Sequence, residues 1–137
     1  VIGEGFAVVR EAPAILISDD DIAFRETLCG ALEPEGYRTL EAGDGEQALH
    51  IVRSENVHLV LLDIHMPKLS GLEVMRLVRQ FKSLLPCILL SADLDETLER
   101  QARMLRAFSV LAKPVSLQQV KSVVELAIRQ VYNQPEF

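Results

Sequence analysis

Ala14-Ile15-Leu16-Ile17-Ser18-Asp19-Asp20-Asp21 is the stretch that decides the fold. Four apolar residues, two of them β-branched, run without a break and stop at a serine and three aspartates. A half-buried strand alternates apolar and polar residues. A continuous apolar run suits a strand buried on both faces, as in a parallel sheet covered by helices.

The pattern recurs along the chain. Val57 to Leu62 is apolar apart from His58 and stops at Asp63; Cys87 to Leu90 stops at Ser91; Phe108 to Ala112 stops at Lys113-Pro114. Tyr37 to Ala42 is a shorter strand, turned by Gly43-Asp44-Gly45. Between these runs the apolar residues fall at helical spacing. Phe24, Leu28, Ala31 and Leu32 mark a helix that Pro34 and Gly36 end. Ala48, Leu49 and Val52 share one face of a helix over Glu46 to Arg53. Leu72, Met75, Leu77, Val78 and Phe81 follow Gly71, and residues 94–105 read as helical. A last helix runs from about Leu117 to Val131, capped by Ser116, with Val120, Val123, Val124, Ala127 and Ile128 inward. Five strand–helix alternations without a hairpin signal predict an α/β fold, a doubly wound parallel sheet with helices on both faces.

Composition sets the outer limits. The chain has 137 residues, 49% of them hydrophobic and 25% charged, the profile of one globular domain. Its 14 Lys+Arg against 20 Asp+Glu give a charge of −6, which argues against direct nucleic-acid contact. No apolar run reaches the roughly 18 residues of a membrane span, and no basic segment precedes an apolar stretch near Val1. Cys29 and Cys87 form no disulfide framework and lack metal-ligand spacing, so both are expected as free core thiols in a reducing cytoplasm. Val1 to Pro13 is expected to be an extension before the domain, and residues 132–137 a tail.

Right-handed crossovers put the C-terminal ends of all parallel strands on one edge, where open α/β sheets bind ligands. The residues following the strands therefore meet there: Asp19 and Asp20, Asp63, Ser91 and Lys113. Two carboxylates ~5 Å apart repel by about 3 kcal/mol at an effective dielectric near 20, so such a group needs a cation. Carboxylate oxygens with room for waters suit Mg²⁺. A cation, a lysine and a hydroxyl would together neutralise a phosphoryl group in transfer, and a central carboxylate can be the nucleophile that forms an acyl phosphate. Acidic residues between a strand and a helix also serve as caps. His50, His58 and His65 share no metal-ligand spacing. Gly43-x-Gly45 lacks the third glycine of a dinucleotide loop, and no G-x-x-x-x-G-K-[ST] occurs.

Over residues 14–131 the chain resembles the receiver domain of two-component response regulators. The resemblance rests on Ile15-Leu16-Ile17-Ser18-Asp19-Asp20, on Leu61-Leu62-Asp63-Ile64-His65-Met66-Pro67 with Gly71 four residues on, on Leu89-Leu90-Ser91-Ala92, and on Lys113-Pro114. It implies a flavodoxin-like fold of strand order 2-1-3-4-5. It implies Asp63 as phosphoacceptor, supplied by a sensor histidine kinase or a phosphotransfer protein. Asp20, Asp63 and the backbone carbonyl of His65 would bind Mg²⁺, with Asp19 acting largely through water. Ser91 would hydrogen-bond one phosphoryl oxygen and Lys113 pair with another, before a cis Lys113–Pro114 peptide. Recipients of the signal would be an output domain, a protein target or a second copy of the chain, in the cytoplasm. The domain would be a signalling receiver that promotes its own phosphoryl transfer and dephosphorylation rather than an enzyme acting on other substrates.

Four positions depart from the family pattern. Arg106-Ala107 replaces Gly-Ala, and Val110 replaces an aromatic residue. His65 and Asp93 stand two residues beyond Asp63 and Ser91. Phe108, two residues before Val110, is expected on the same strand face but too far from the strand end to substitute for the missing ring. Two other readings stay open. Asp19-Asp20-Asp21-Ile22-Ala23 resembles the opening of the haloacid dehalogenase motif, with Asp19 as nucleophile, although Ala23 fails its last position. A receiver fold that has lost phosphorylation would act as a constitutive docking module.

Overall fold

The apolar runs fold as strands whose burial follows from their sequence. In the computed structural model, which describes residues 11–132, β1 (Ala14–Ser18), β3 (Leu59–Asp63) and β4 (Cys87–Ser91) are buried at every residue. The more polar β2 (Arg38–Ala42) and the short β5 (Ser109–Ala112) are the edges. All neighbours pair in parallel, in the order β2-β1-β3-β4-β5. This is the flavodoxin-like arrangement expected from the sequence. Most of the expected 1–13 extension and 132–137 tail lies outside the described residues.

Alternate residues of each central strand feed two cores. Leu16, Val60, Leu62 and Leu89 face α2 (Gly45–Ser54), α3 (Gly71–Phe81) and α4 (Glu96–Met104). Ile15, Ile17, Leu61, Ile88 and Leu90 face α1 (Ile22–Leu32) and α5 (Leu117–Tyr132). Each large aliphatic side chain so buried contributes about 1.5–3 kcal/mol, which makes the two cores the main source of stability. Cys29 and Cys87 are free and buried within them, and burial pushes the Cys87 thiol up to about 11.

Local chemistry starts the helices. Asp21 caps α1, Asp44 caps α2, Asp95 caps α4 and the Ser116 hydroxyl caps α5. Ser70 and Glu73 form a capping box on α3. Gly45 is required where α2 meets the loop before α3, because a Cβ there would overlap the Leu69 carbonyl. The helix Glu96–Met104 is shorter than the expected 94–105, since the Asp95 cap fixes its start.

Packing departs from simple helix and strand periodicity at two places, and at the second an expected shared face is not found. In α3, Val74 is fully buried, whereas Phe81 is 41% exposed with the Arg53 guanidinium 5.1 Å from its ring centre. Phe81 occupies the last turn, where the helix has passed the sheet, and its ring is covered by a cation rather than by the core. Phe108 packs on the α1/α5 side and Val110 on the other. β5 begins only at Ser109, so strand alternation does not extend back to Phe108.

Candidate functional site

Strand register brings the polar strand ends together. Ser18 pairs with Leu62, Asp63 with Leu90 and Ser91 with Ala112. The next residue of β1 is Asp19, facing Asp63, and the next of β5 is Lys113, beside Ser91. The Lys113 backbone N–H donates to the Ser91 carbonyl at 2.8 Å, and the Ile64 N–H to the Leu90 carbonyl at 2.9 Å. These bonds extend the ladder beyond the strands and fix the spacing of the side chains.

The side chains form an acidic cavity with one ammonium. Asp19 is 1% exposed, Asp63 6% and Ser91 0%, whereas Asp20 faces solvent. One carboxylate oxygen from each of Asp19, Asp20 and Asp63 lies within 4.8 Å of the others. The Lys113 Nζ donates to Asp19 at 2.7 Å and stands 3.5 Å from Asp63. Its ammonium also lies 4.5 Å from the centre of the Phe24 ring, which holds the lysine stem over α1. The Lys113–Pro114 peptide is cis.

The electrostatics follow from this geometry. Burial raises the Asp63 pKa above the usual carboxylate value, and the neighbouring Asp19 charge raises it further against the opposing pull of Lys113. Burial alone would depress Lys113, but its hydrogen bond to Asp19 and the charges of Asp63 and Asp19 leave it raised. The lysine is therefore charged, and serves two buried carboxylates at once. Three carboxylates against one ammonium leave a net negative cavity of hard oxygen donors, open at Asp20. That donor set fits a divalent cation of the Mg²⁺ kind.

Asp19 accepts the Asp21 N–H at 2.8 Å, while Asp21 itself caps α1. Of the three consecutive aspartates, only Asp21 has the structural role that such residues usually fill. Ser91 accepts the Asp93 N–H at 3.0 Å, and the Asp93 carboxylate stands 3.7 Å from the His65 imidazole across the mouth of the site. Gly71 closes the floor: a Cβ there would sit 2.6 Å from the Asp63 carbonyl. The glycine four residues beyond Pro67 thus allows α3 to begin directly beneath Asp63. Every site residue expected from the sequence lies at this edge. Phe24 and Arg25 do so as well, although neither carried a motif. The Arg25 guanidinium donates to the Asp19 carbonyl at 2.6 Å.

A family model described as response regulator receiver domain matches residues 15–125, which include all of these positions. The chain belongs to the response regulator receiver domain family. Response regulator RR06 of Streptococcus pneumoniae is 37% identical over 118 residues, covering 86% of this chain and 54% of that protein. Sporulation initiation phosphotransferase F of Bacillus subtilis is 32% identical over 111 residues, covering 81% of this chain and 90% of that protein. The receiver domain thus spans about half of the longer regulator and most of the shorter one. A CheY-like receiver domain protein from Methanospirillum hungatei shares the fold, with a TM-score of 0.86 at 22% identity over 90% of this chain and 99% of that one. Within the receiver's described residues no helix is long and apolar enough to cross a membrane.

Proposed function

We propose that this receiver, over residues 14–131, accepts a phosphoryl group on Asp63 from a phosphohistidine of a sensor histidine kinase or phosphotransfer protein, within the cytoplasm. The observation that carries the proposal is a buried carboxylate 3.5 Å from a lysine ammonium and within 4.8 Å of two further carboxylates. An Asp63 oxygen forms the new P–O bond while the P–N bond to the donor imidazole breaks, and the imidazole nitrogen keeps the electron pair. The product is an acyl phosphate. Asp20, Asp63 and the His65 carbonyl would hold Mg²⁺, with Asp19 acting through water. Bound there, the cation supplies charge neutralisation for the phosphoryl oxygens.

Lys113 neutralises a phosphoryl oxygen from the β5 side once a phosphoryl group draws it from Asp19. The Ser91 hydroxyl exchanges its bond with the Asp93 N–H for another phosphoryl oxygen. Moving these two groups shifts the loops after β4 and β5, and a partner needs only a differential affinity for the two arrangements. Val110 carries no ring to move with Ser91. The side-chain part of the switch is therefore muted, and loop backbone carries it. Hydrolysis reverses the loading: water attacks phosphorus, the P–O bond to Asp63 breaks and phosphate leaves. The phosphodonor protein docks on the rim beside Lys113, where Ile22 is 61% exposed and Phe24, Thr27, Ala92, Pro114 and Val115 line a groove of about 530 Å³.

Incubation with acetyl phosphate and Mg²⁺, followed by intact-mass analysis, should add one phosphoryl group. Removing Mg²⁺ with EDTA should suppress it. No mass gain in the presence of Mg²⁺ would favour the constitutive docking module.

A further inference from the structure

Asp20 is the least anchored member of the acidic group. With the described residues its carboxylate makes no hydrogen bond or ion pair, yet it stands within 4.8 Å of Asp19 and Asp63. Its position is set through the main chain on either side. After it, the Asp21 N–H is bound by the Asp19 carboxylate at 2.8 Å. Before it, the carbonyl of the Asp19–Asp20 peptide is held by the Arg25 Nη1 at 2.6 Å.

Arg25 is well placed for this. It projects from α1 with its side chain only 15% exposed, and its Nε donates to Glu41 of β2 at 3.1 Å. The guanidinium is thereby bridged between a carboxylate on the edge strand and a carbonyl at the end of β1. The β2–α2 turn passes close to the guanidinium: a Cβ added at Gly43 would lie 3.3 Å from Nη1. That turn is fixed in its own right, since the Gly43 N–H donates to Gln47 at 2.7 Å.

We infer that Arg25 is a positioning residue for the cation site: by fixing the Asp19–Asp20 peptide plane it sets where Asp20 presents its carboxylate. The inference rests on the Mg²⁺ reading of the acidic cavity. Geometry and charge here oppose each other. A guanidinium near a divalent cation repels it, so by Coulomb's law alone its removal would tighten binding. Glu41 offsets that charge, and the positional effect dominates. Groups that orient metal-ligating carboxylates typically change affinity by about tenfold or more when removed.

Calorimetric titration of the full chain with Mg²⁺ tests this, with thermal melts in EDTA recording the folding of each variant. Arg25→Gln is expected to raise the Mg²⁺ dissociation constant about tenfold, and Glu41→Gln to raise it by a smaller factor. Arg25→Lys, whose single ammonium cannot serve Glu41 and the Asp19 carbonyl with the same fork, is expected to fall between wild type and Arg25→Gln. It supplies the comparison if Arg25→Gln does not fold. Val124→Ala, in the α5 core, is expected to lower Tm and leave the dissociation constant unchanged, separating positioning from general stability. Unchanged or tighter Mg²⁺ binding in the Arg25 variants would overturn the inference and leave the metal reading standing. No Mg²⁺ binding by the wild-type chain would overturn both.

Discussion

The two edges of the sheet use their charged side chains in opposite ways. At the C-terminal edge one ammonium, Lys113, serves two buried carboxylates, and the cavity keeps an excess of negative charge. At the N-terminal edge the cations bind neutral carbonyls. Arg79 donates to the carbonyls of Leu105, Leu85 and Arg106 at 2.8, 2.7 and 3.1 Å, tying α3 to the chain entering β4 and β5. Lys82 donates to the Val52 carbonyl at 2.7 Å, and the Ala14 N–H to the His58 Nδ1 at 2.9 Å. Tyr132 closes the ring of contacts by donating to the His58 carbonyl at 2.7 Å. One edge satisfies its polar groups, while the other holds like charges together. The first contributes stability, and the second carries a cost in stability.

The largest separation of the two edges should come from Arg79→Ala. Three carbonyls would lose a charged donor at once, a loss of about 2–4 kcal/mol. Chemical denaturation should show that loss, with acetyl phosphate labelling of the folded fraction retained. A variant that lost labelling while remaining folded would show that the edges are not independent.

Asp63→Asn should act with the opposite sign. Because burial and Asp19 raise the Asp63 pKa, its contribution to stability is fully present below the ordinary carboxylate pKa and is lost as pH rises through the raised value. At pH 7 in EDTA the charge is therefore a cost. The variant should melt a few degrees higher, the scale of about 1 kcal/mol in a domain of this size. The advantage should vanish near pH 3, where the carboxyl is protonated in both states. Equal melting temperatures at pH 7 would show that Lys113 already compensates the charge.

Acid should have the reverse effect at the other edge. Burial lowers the His58 pKa, and the nearby Arg38 and Lys82 charges lower it further against Glu11. Its contribution is present above the ordinary imidazole pKa and is lost as pH falls through the lowered value. Protonation at Nδ1 would also leave the Ala14 N–H without its acceptor, at about 1 kcal/mol. Hydrogen exchange at Ala14 should therefore accelerate, relative to the intrinsic rate, as pH falls through the His58 titration. Unchanged protection through that range would remove the contrast in acid response between the edges.

The smallest effect concerns Arg106, which stands at φ 61°, in the left-handed region that favours glycine. Its carbonyl is held by Arg79, so the backbone shape is fixed from outside. Arg106→Gly should relieve the left-handed strain and raise stability by about 0.5–1 kcal/mol, read as a small rise in Tm. A fall in Tm would mean that the arginine stem contributes more through packing than its conformation costs.

The contrast also explains what the sequence made legible. Asp19, Asp63, Ser91 and Lys113 could be placed because each ends an apolar run, and parallel topology brings all such ends to one edge. Arg79, Lys82 and Arg25 could not, because their partners are carbonyls, which every residue carries and no spacing marks. Phe24 was visible only as a core position; its contact with Lys113 depends on a separation of 89 residues across the fold. Periodicity was least informative at element ends. Phe81 and Phe108 sit where periodicity runs past the strand or helix that creates it, and the burial of Val74 followed from how α3 meets the sheet.

The central claim is that Asp63 is the phosphoacceptor, and its most direct test is to locate the phosphoryl group. The chain is loaded with acetyl phosphate and Mg²⁺, then treated with borohydride, which reduces an aspartyl phosphate to homoserine with release of phosphate. Peptide mapping should find homoserine at position 63 in the wild-type chain and none in Asp63→Asn. Homoserine at position 19, persisting in Asp63→Asn, would contradict the assignment and make the first strand's aspartate the nucleophile.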